Sequence, residues 1–222
     1  MLSDLITLIQ KDFRLIIRSS VHLFSVVLFG VLLLLLFSFS MGGDIDLLRK
    51  SAAGLFWITV FFSSTFFLDQ SLQYEQKDGR IEGLLLLGVD PKIYYVSKTF
   101  SNFLLLILVE FFLLFPLIVL FDVPFSWSML TVLIMGSFGI SALGTAYAGV
   151  TTSLVSGNVL LPLLLYPMLI PLLLAGVQAT QLCITGDLFN ERFMWYSLLA
   201  IFDVVFFVAA FLCAPFLFDK SS

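Results

Sequence analysis

"VHLFSVVLFGVLLLLLFSFS", residues 21–40, runs for twenty residues without one Asp, Glu, Lys or Arg. As a helix it would be about 30 Å long, the thickness of the hydrocarbon layer of a bilayer. The rest of the chain repeats the theme: of 222 residues, 60 % are hydrophobic and 12 % charged, against roughly 25 % charged in an ordinary soluble domain. A water-soluble fold cannot hide that much apolar surface. Lipid offers no partner to free backbone groups, so only helices or closed barrels cross it, and the period-two alternation of barrel strands is missing here. The expected fold class is therefore an all-α polytopic membrane protein.

Working outward, residues 1–20 read as an amphipathic helix lying in the membrane interface. Ser3, Thr7, Gln10, Lys11, Arg14 and Arg18 fall on one face; Leu2, Leu5, Ile6, Ile9, Phe13, Ile16 and Ile17 fall on the other. The stretch lacks the basic start, unbroken apolar core and small-residue cleavage site of a secretory signal, so no removal is expected. After residue 40 the sequence "MGGDID" turns the chain, and a second span is expected at 52–68. A third is expected at 99–121, led in by Asp90-Pro91, a cap and a first-turn proline. In the fourth, 128–155, the small residues Ser137, Ser141, Thr145, Gly149 and Ser153 recur every four positions. That row lets another helix approach closely, so the fourth span should be buried among its neighbours. The fifth carries Pro162, Pro167 and Pro171, for which kinks or a short discontinuity are expected. A sixth follows at 195–218. The chain reads as one permease domain, residues 1–222.

Sidedness follows from Lys and Arg. With the N-terminus inside, Lys11, Arg14, Arg18, Lys77, Arg80, Lys92, Lys98 and Lys220 collect on the cytoplasmic side, and Arg49, Lys50 and Arg192 on the other. Both termini are thus expected in the cytoplasm, together with the connection between the second and third spans.

Three features compete for a functional role. Glu110 and Asp203 fall inside spans, where a charge costs at least ~2.5 kcal/mol; either each is protonated or hydrogen-bonded to a neighbouring helix, or they take part directly, as in proton coupling. His22, the lone histidine, begins the first span, where a snorkelling side chain weighs more than a haem or metal ligand. Cys183 and Cys213 have no CxxC spacing and read as packing residues. The net charge of −4 is spread over loops and gives nucleic acid nothing to bind. No cofactor is indicated.

The third feature is "YEQKDGRIEGLLLLGVDPKIYYVSK", residues 74–98. Asp69, Glu75, Lys77, Asp78, Arg80 and Glu82 mix both signs and hold the segment in water. Leu84 to Leu87 then form an apolar run too short to span, and Tyr94 and Tyr95 follow at the membrane interface. An apolar knob beside salt-bridging groups fits docking onto another protein; the plainer alternative is a solvated loop whose leucines fold back onto the membrane.

This segment resembles the E-x-x-x-G-x-(I/L)-E-x-L-x-L-x-P-(I/L) pattern between the second and third spans of ABC-2-like exporter permeases. Within that group the chain is most similar to the CcmB family, the haem exporter protein B subunits of cytochrome c maturation. The likeness is carried by "AGLFWI" at 53–58, by 75–98, by "VLLPLLLYPMLIPLLLAGVQA" at 159–179 and by Ala214-Pro215-Phe216. It implies an inner-membrane ABC transporter subunit in which residues 69–98 form a cytoplasmic coupling segment. Glu75, Asp78, Gly79, Arg80, Glu82, Gly83, Leu84, Leu85 and Leu87 would meet the ATPase. The partners implied are a CcmA-like ATPase, a second copy of the chain, CcmC-like and CcmD-like membrane proteins and the haem chaperone CcmE. The chain has no G-x-x-x-x-G-K-(S/T) phosphate loop, so ATP chemistry is expected in a partner rather than here. An ABC-2-like permease for another amphipathic substrate, and a proton-coupled transporter built on Glu110 and Asp203, are the alternatives.

Overall fold

The computed structural model describes residues 7–11, 20–76, 83, 89–153, 160–187 and 190–218. Six long helices make the bundle: α1 (Ser20–Ser40), α2 (Ile45–Gln76), α3 (Pro91–Phe121), α4 (Trp127–Ser153), α5 (Leu160–Thr185) and α6 (Arg192–Phe218). All six contain stretches long and apolar enough to cross a membrane. The chain is an all-α polytopic membrane protein. Of the expected interfacial helix, Thr7 to Lys11 are helical, with Leu8 buried and Thr7 and Gln10 exposed; the rest of 1–19 lies outside the described residues.

Two helices overrun the membrane. α2 has 32 residues, about 48 Å of helix, whereas the hydrocarbon layer takes about 30 Å; its apolar span ends at Leu68 and its last turns continue to Gln76. α3 has 31 residues and starts at Pro91, well before the apolar run that the sequence marks at 99. The bundle thus has one end where α2 stops and α3 begins, called the near end below, and a far end with the turns at 41–44, 122–126 and 186–191.

α4 is the centre. It packs against α2, α3, α5 and α6, while α1 lies mainly against α2 and α3. The apolar window of α4 is 67 % buried and that of α1 is 17 % buried, which agrees with the small-residue row: Ser137, Ser141 and Thr145 are buried, and Gly149 meets Leu217 and Phe218. The row describes only one side of α4, however. Gly136 lies against Trp57 of α2, Gly139 against Leu172 of α5 and Asp203 of α6, and Gly144 against Leu68 of α2. Small residues on every side let four helices close on it.

Trp57 is the pin of this arrangement. Its indole is fully buried, wedged between Gly136 and Gly176, and its Nε1 donates to Thr180 Oγ1 at 2.9 Å. A Cβ on either glycine would overlap the ring.

The discontinuity expected in the fifth span does not occur: α5 runs unbroken from Leu160 to Thr185. Pro162 falls in the first turn, where a missing N–H costs nothing. Pro167 and Pro171 stand on the exposed side.

Candidate functional site

The near end gathers the residues that flank the 77–90 connection. Asp90 caps α3 in extended conformation, its carboxylate accepting from the Lys92 N–H at 2.8 Å, and Pro91 occupies the first turn. From this anchored start, α3 presents two tyrosines to α6. The sequence places Tyr94 and Tyr95 at the membrane interface; the structure turns both inward, 4 % and 0 % exposed. Tyr94 meets Phe218 edge-on at 5.0 Å between ring centroids, and Tyr95 lies 5.7 Å from Phe207. The burial is tolerated because the Tyr95 hydroxyl donates to the Ala142 carbonyl of α4 at 3.1 Å. Lys92 Nζ stands 5.4 Å over the Phe211 ring, and one level deeper Asn102 Nδ2 donates to Thr145 Oγ1 at 3.0 Å. The start of α3 is therefore joined to α4 and α6 as one block.

Of the coupling residues named from the sequence, Glu75 sits in the last turn of α2 and Gly83 is helical and exposed. Asp78, Gly79, Arg80, Glu82, Leu84, Leu85 and Leu87 lie outside the described residues.

Glu110 and Asp203 are both buried, at 1 % and 8 % exposure. Among the described residues neither oxygen of Glu110 has a hydrogen-bond partner, nor has Oδ1 of Asp203. The Ser137 hydroxyl of α4 lies toward the Glu110 carboxyl but falls short of hydrogen-bond geometry. Asp203 faces Gly139. Positions two apart on an α-helix point about 200° apart, so α4 stands between the two acids although both lie about three turns in from the far end. They do not form one paired site.

His22 belongs to the first turn of α1. Among the described residues no three His, Cys, Asp or Glu side chains come together as metal ligands. Cys183 packs inside, its Sγ 3.8 Å from the Tyr196 hydroxyl. Cys213 differs from the sequence expectation: it is exposed on the surface of α6.

The far end holds what the sequence did not announce. Arg49 pairs with the Asp122 carboxylate, and its Nε donates to the Asp122 carbonyl at 2.8 Å. Asp122 adopts a left-handed backbone, φ 49°, that ends α3. Arg192 bridges Asp187 at 3.4 Å and donates to Ser128 Oγ at 3.1 Å. Two of the three cations that the charge count leaves on this side are thereby structural tethers. Between Arg49, Asp122, Pro124 and Thr185 lies an open cleft of about 440 Å³.

The sequence profile described as "CcmB protein" matches residues 3–220. The chain belongs to the CcmB family. Among its relatives, the "Heme exporter protein B" of Pseudomonas aeruginosa is 27 % identical over 192 residues, 86 % of each chain. That of Haemophilus influenzae is 26 % identical over 170 residues, 75 % of this chain and 76 % of the relative. That of Escherichia coli K12 is 27 % identical over 179 residues, 77 % and 78 %. Trp57 falls inside the "AGLFWI" stretch that carries the family likeness, and the structure supplies a packing reason for it. Composition alone offered no signal for that role; a tryptophan in a span followed by glycines in two later spans is the pattern that could have.

Proposed function

We propose that this chain is the transmembrane subunit of an ABC transporter complex serving cytochrome c maturation in the bacterial inner membrane. In this account residues 69–98 face the cytoplasm, as do both termini. A CcmA-like ATPase grips the segment from Glu75 to Leu87, and nucleotide-driven closure of two ATPases displaces it. The observation that carries the proposal is the near-end block. Because Tyr94 and Tyr95 tie the start of α3, itself capped by Asp90, to α4 and α6, movement of the segment passes into three helices together, a rigid-body motion of ordinary type. The relatives' name, heme exporter, supports haem as the substrate handled; in this account it is exported or released on the chaperone CcmE, with CcmC-like and CcmD-like proteins alongside, as the family resemblance implies. ATP chemistry belongs to the partner, and the chain acts as a transducer.

Charge reversal by Arg80→Glu or Glu82→Lys, and Leu85→Pro, test this in cells producing a reporter cytochrome c. The expected result is a loss of at least about tenfold in mature cytochrome, with ATPase still copurifying with at least the charge variants. Wild-type output from all three removes the lever. Cysteine labelling of residues 75–90 from the outer face would contradict the sidedness.

A second reading is favoured by one observation, the unpartnered Glu110 carboxyl deep in the bundle: a proton-coupled transporter. It requires loss of transport in a Glu110→Gln, Asp203→Asn double variant while the coupling variants stay active. The separation of the two acids by α4 gives that reading two unlinked sites rather than one relay.

A further inference from the structure

A hydroxyl buried on a helix has a ready partner in its own backbone. Thr59, Ser64, Thr65, Ser97 and Ser101 all donate to a carbonyl three or four residues back. Ser137 and Ser141 of α4, both 0 % exposed, do not: neither Oγ has a partner among the described residues. Ser63 and Thr99 share that lack, but Ser137 and Ser141 stand one turn apart on the face of α4 turned toward an acid. The Asn102–Thr145 hydrogen bond, 3.0 Å, fixes the register of α3 against α4. Because the two helices run antiparallel, two turns on in α3 and two turns back in α4 bring Glu110 level with Ser137, whose hydroxyl does lie toward the carboxyl. Halfway along, Leu106 is buried level with Ser141 and offers it nothing to bond. Side chains lean toward the N-terminus of their own helix, so Glu110 leans toward the near end and Ser141 toward the far end, into the same turn of the seam. Both carboxyl oxygens and both hydroxyls are thus gathered there, buried and unpartnered.

Such groups are costly to leave bare inside a bundle, and the serines decide the class of ligand that would satisfy them. A cation binds a hydroxyl through the oxygen lone pairs and leaves its proton free to return to the helix carbonyl, as the other buried hydroxyls do. Here the protons are not spent that way. The ligand must accept hydrogen bonds from the serines and also meet the carboxyl, and water does both. We infer that the seam between α3 and α4 holds bound water that joins the Glu110 carboxyl to the Ser137 and Ser141 hydroxyls. A buried water makes about three hydrogen bonds, which these three side chains can supply. It gives Glu110 a partner within its own seam, independent of Asp203 beyond α4. The inference stands on packing alone and does not rest on the ATPase, the substrate or the sidedness proposed above.

The test uses the assembled complex in mild detergent. In a dry seam the two hydroxyls are orphans, and Ser137→Ala with Ser141→Ala should leave the thermal midpoint unchanged or raise it. In a wet seam they hold water, and the midpoint should fall by about 2–4 °C. Radiolytic labelling in heavy-oxygen water detects the water itself, since radicals formed from a bound molecule oxidise the side chain beside it. Leu106 should take up the heavy oxygen in the native chain and in Glu110→Gln, whose carboxamide still binds water, and should lose the label in the double alanine variant. Trp57, equally buried and more reactive toward the radical, should stay unlabelled because its indole is already bonded to Thr180. An unlabelled Leu106 in the native chain overturns the inference, as does a midpoint that holds or rises in the double variant. A midpoint raised by sodium but not by choline, with the response lost in Glu110→Gln, overturns it in favour of a bound cation.

Discussion

The two ends of the bundle are held by different physics. At the far end, Arg49 and Arg192 reach across to Asp122, Asp187 and Ser128, and the contacts are directional and charge-assisted. At the near end no charge pair takes part among the described residues: Tyr94 packs on Phe218, Tyr95 on Phe207 and Gly149 beneath Leu217 and Phe218, with the neutral Tyr95–Ala142 and Asn102–Thr145 hydrogen bonds beside them. Directional bonds fix a geometry, because a small displacement breaks them. Aromatic and aliphatic surfaces lose little when they slide by a fraction of their width. A bundle driven from the near end would be built this way, with a far end held by charged tethers and a near-end block free to shift as a unit.

The contrast can be broken in order of effect. Overfilling the pin that joins α2, α4 and α5 should do most: Gly136→Leu drives a side chain into the Trp57 ring, and the expected cost is about 3 kcal/mol or more. Its mark is a lost or strongly lowered thermal transition in mild detergent. Next, Arg192→Ala leaves Asp187, whose side chain is 5 % exposed, without its cation. About 2 kcal/mol of stability should go, read as a lower unfolding midpoint with cytochrome c output per assembled complex unchanged; a coupling defect without a stability defect would erase the distinction between the ends. Tyr95→Phe removes the hydroxyl that serves the Ala142 carbonyl but keeps the ring, and should cost about 1 kcal/mol. Here the sharper readout is the ratio of ATP hydrolysed to cytochrome matured, which should rise if the near end transmits motion. Smallest is Arg49→Ala. Its pair is exposed, 48 % and 63 %, so the effect should stay below about 1 kcal/mol and fade in high salt.

How much of this could be read from the residues depended on the range of the interaction. Six spans were legible because bilayer thickness converts directly into run length, and the central place of α4 because Ser137, Ser141, Thr145 and Gly149 repeat at the helical period. Asp90-Pro91 marked the true start of α3, yet the apolar run begins some two turns later and drew the expected span short of it. The inward turn of Tyr94 and Tyr95 was hidden, since a tyrosine near a span end looks the same whether it meets headgroups or another helix. The prolines of α5 suggested a break; which side they faced decided otherwise. Cys213 points out of the bundle for the same reason, the rotation of α6 being set by its neighbours.

Composition and run length alone settled that this chain lives in lipid as six helices, because the cost of an unsatisfied backbone leaves no other solution there. Tertiary structure alone decided who meets whom. It set Trp57 between Gly136 and Gly176, drew Arg49 to an aspartate 73 residues away, and placed α4 between Glu110 and Asp203. Within a membrane the burial of apolar surface no longer chooses a partner, so helix order rests on close fit and hydrogen bonds between residues far apart in the chain.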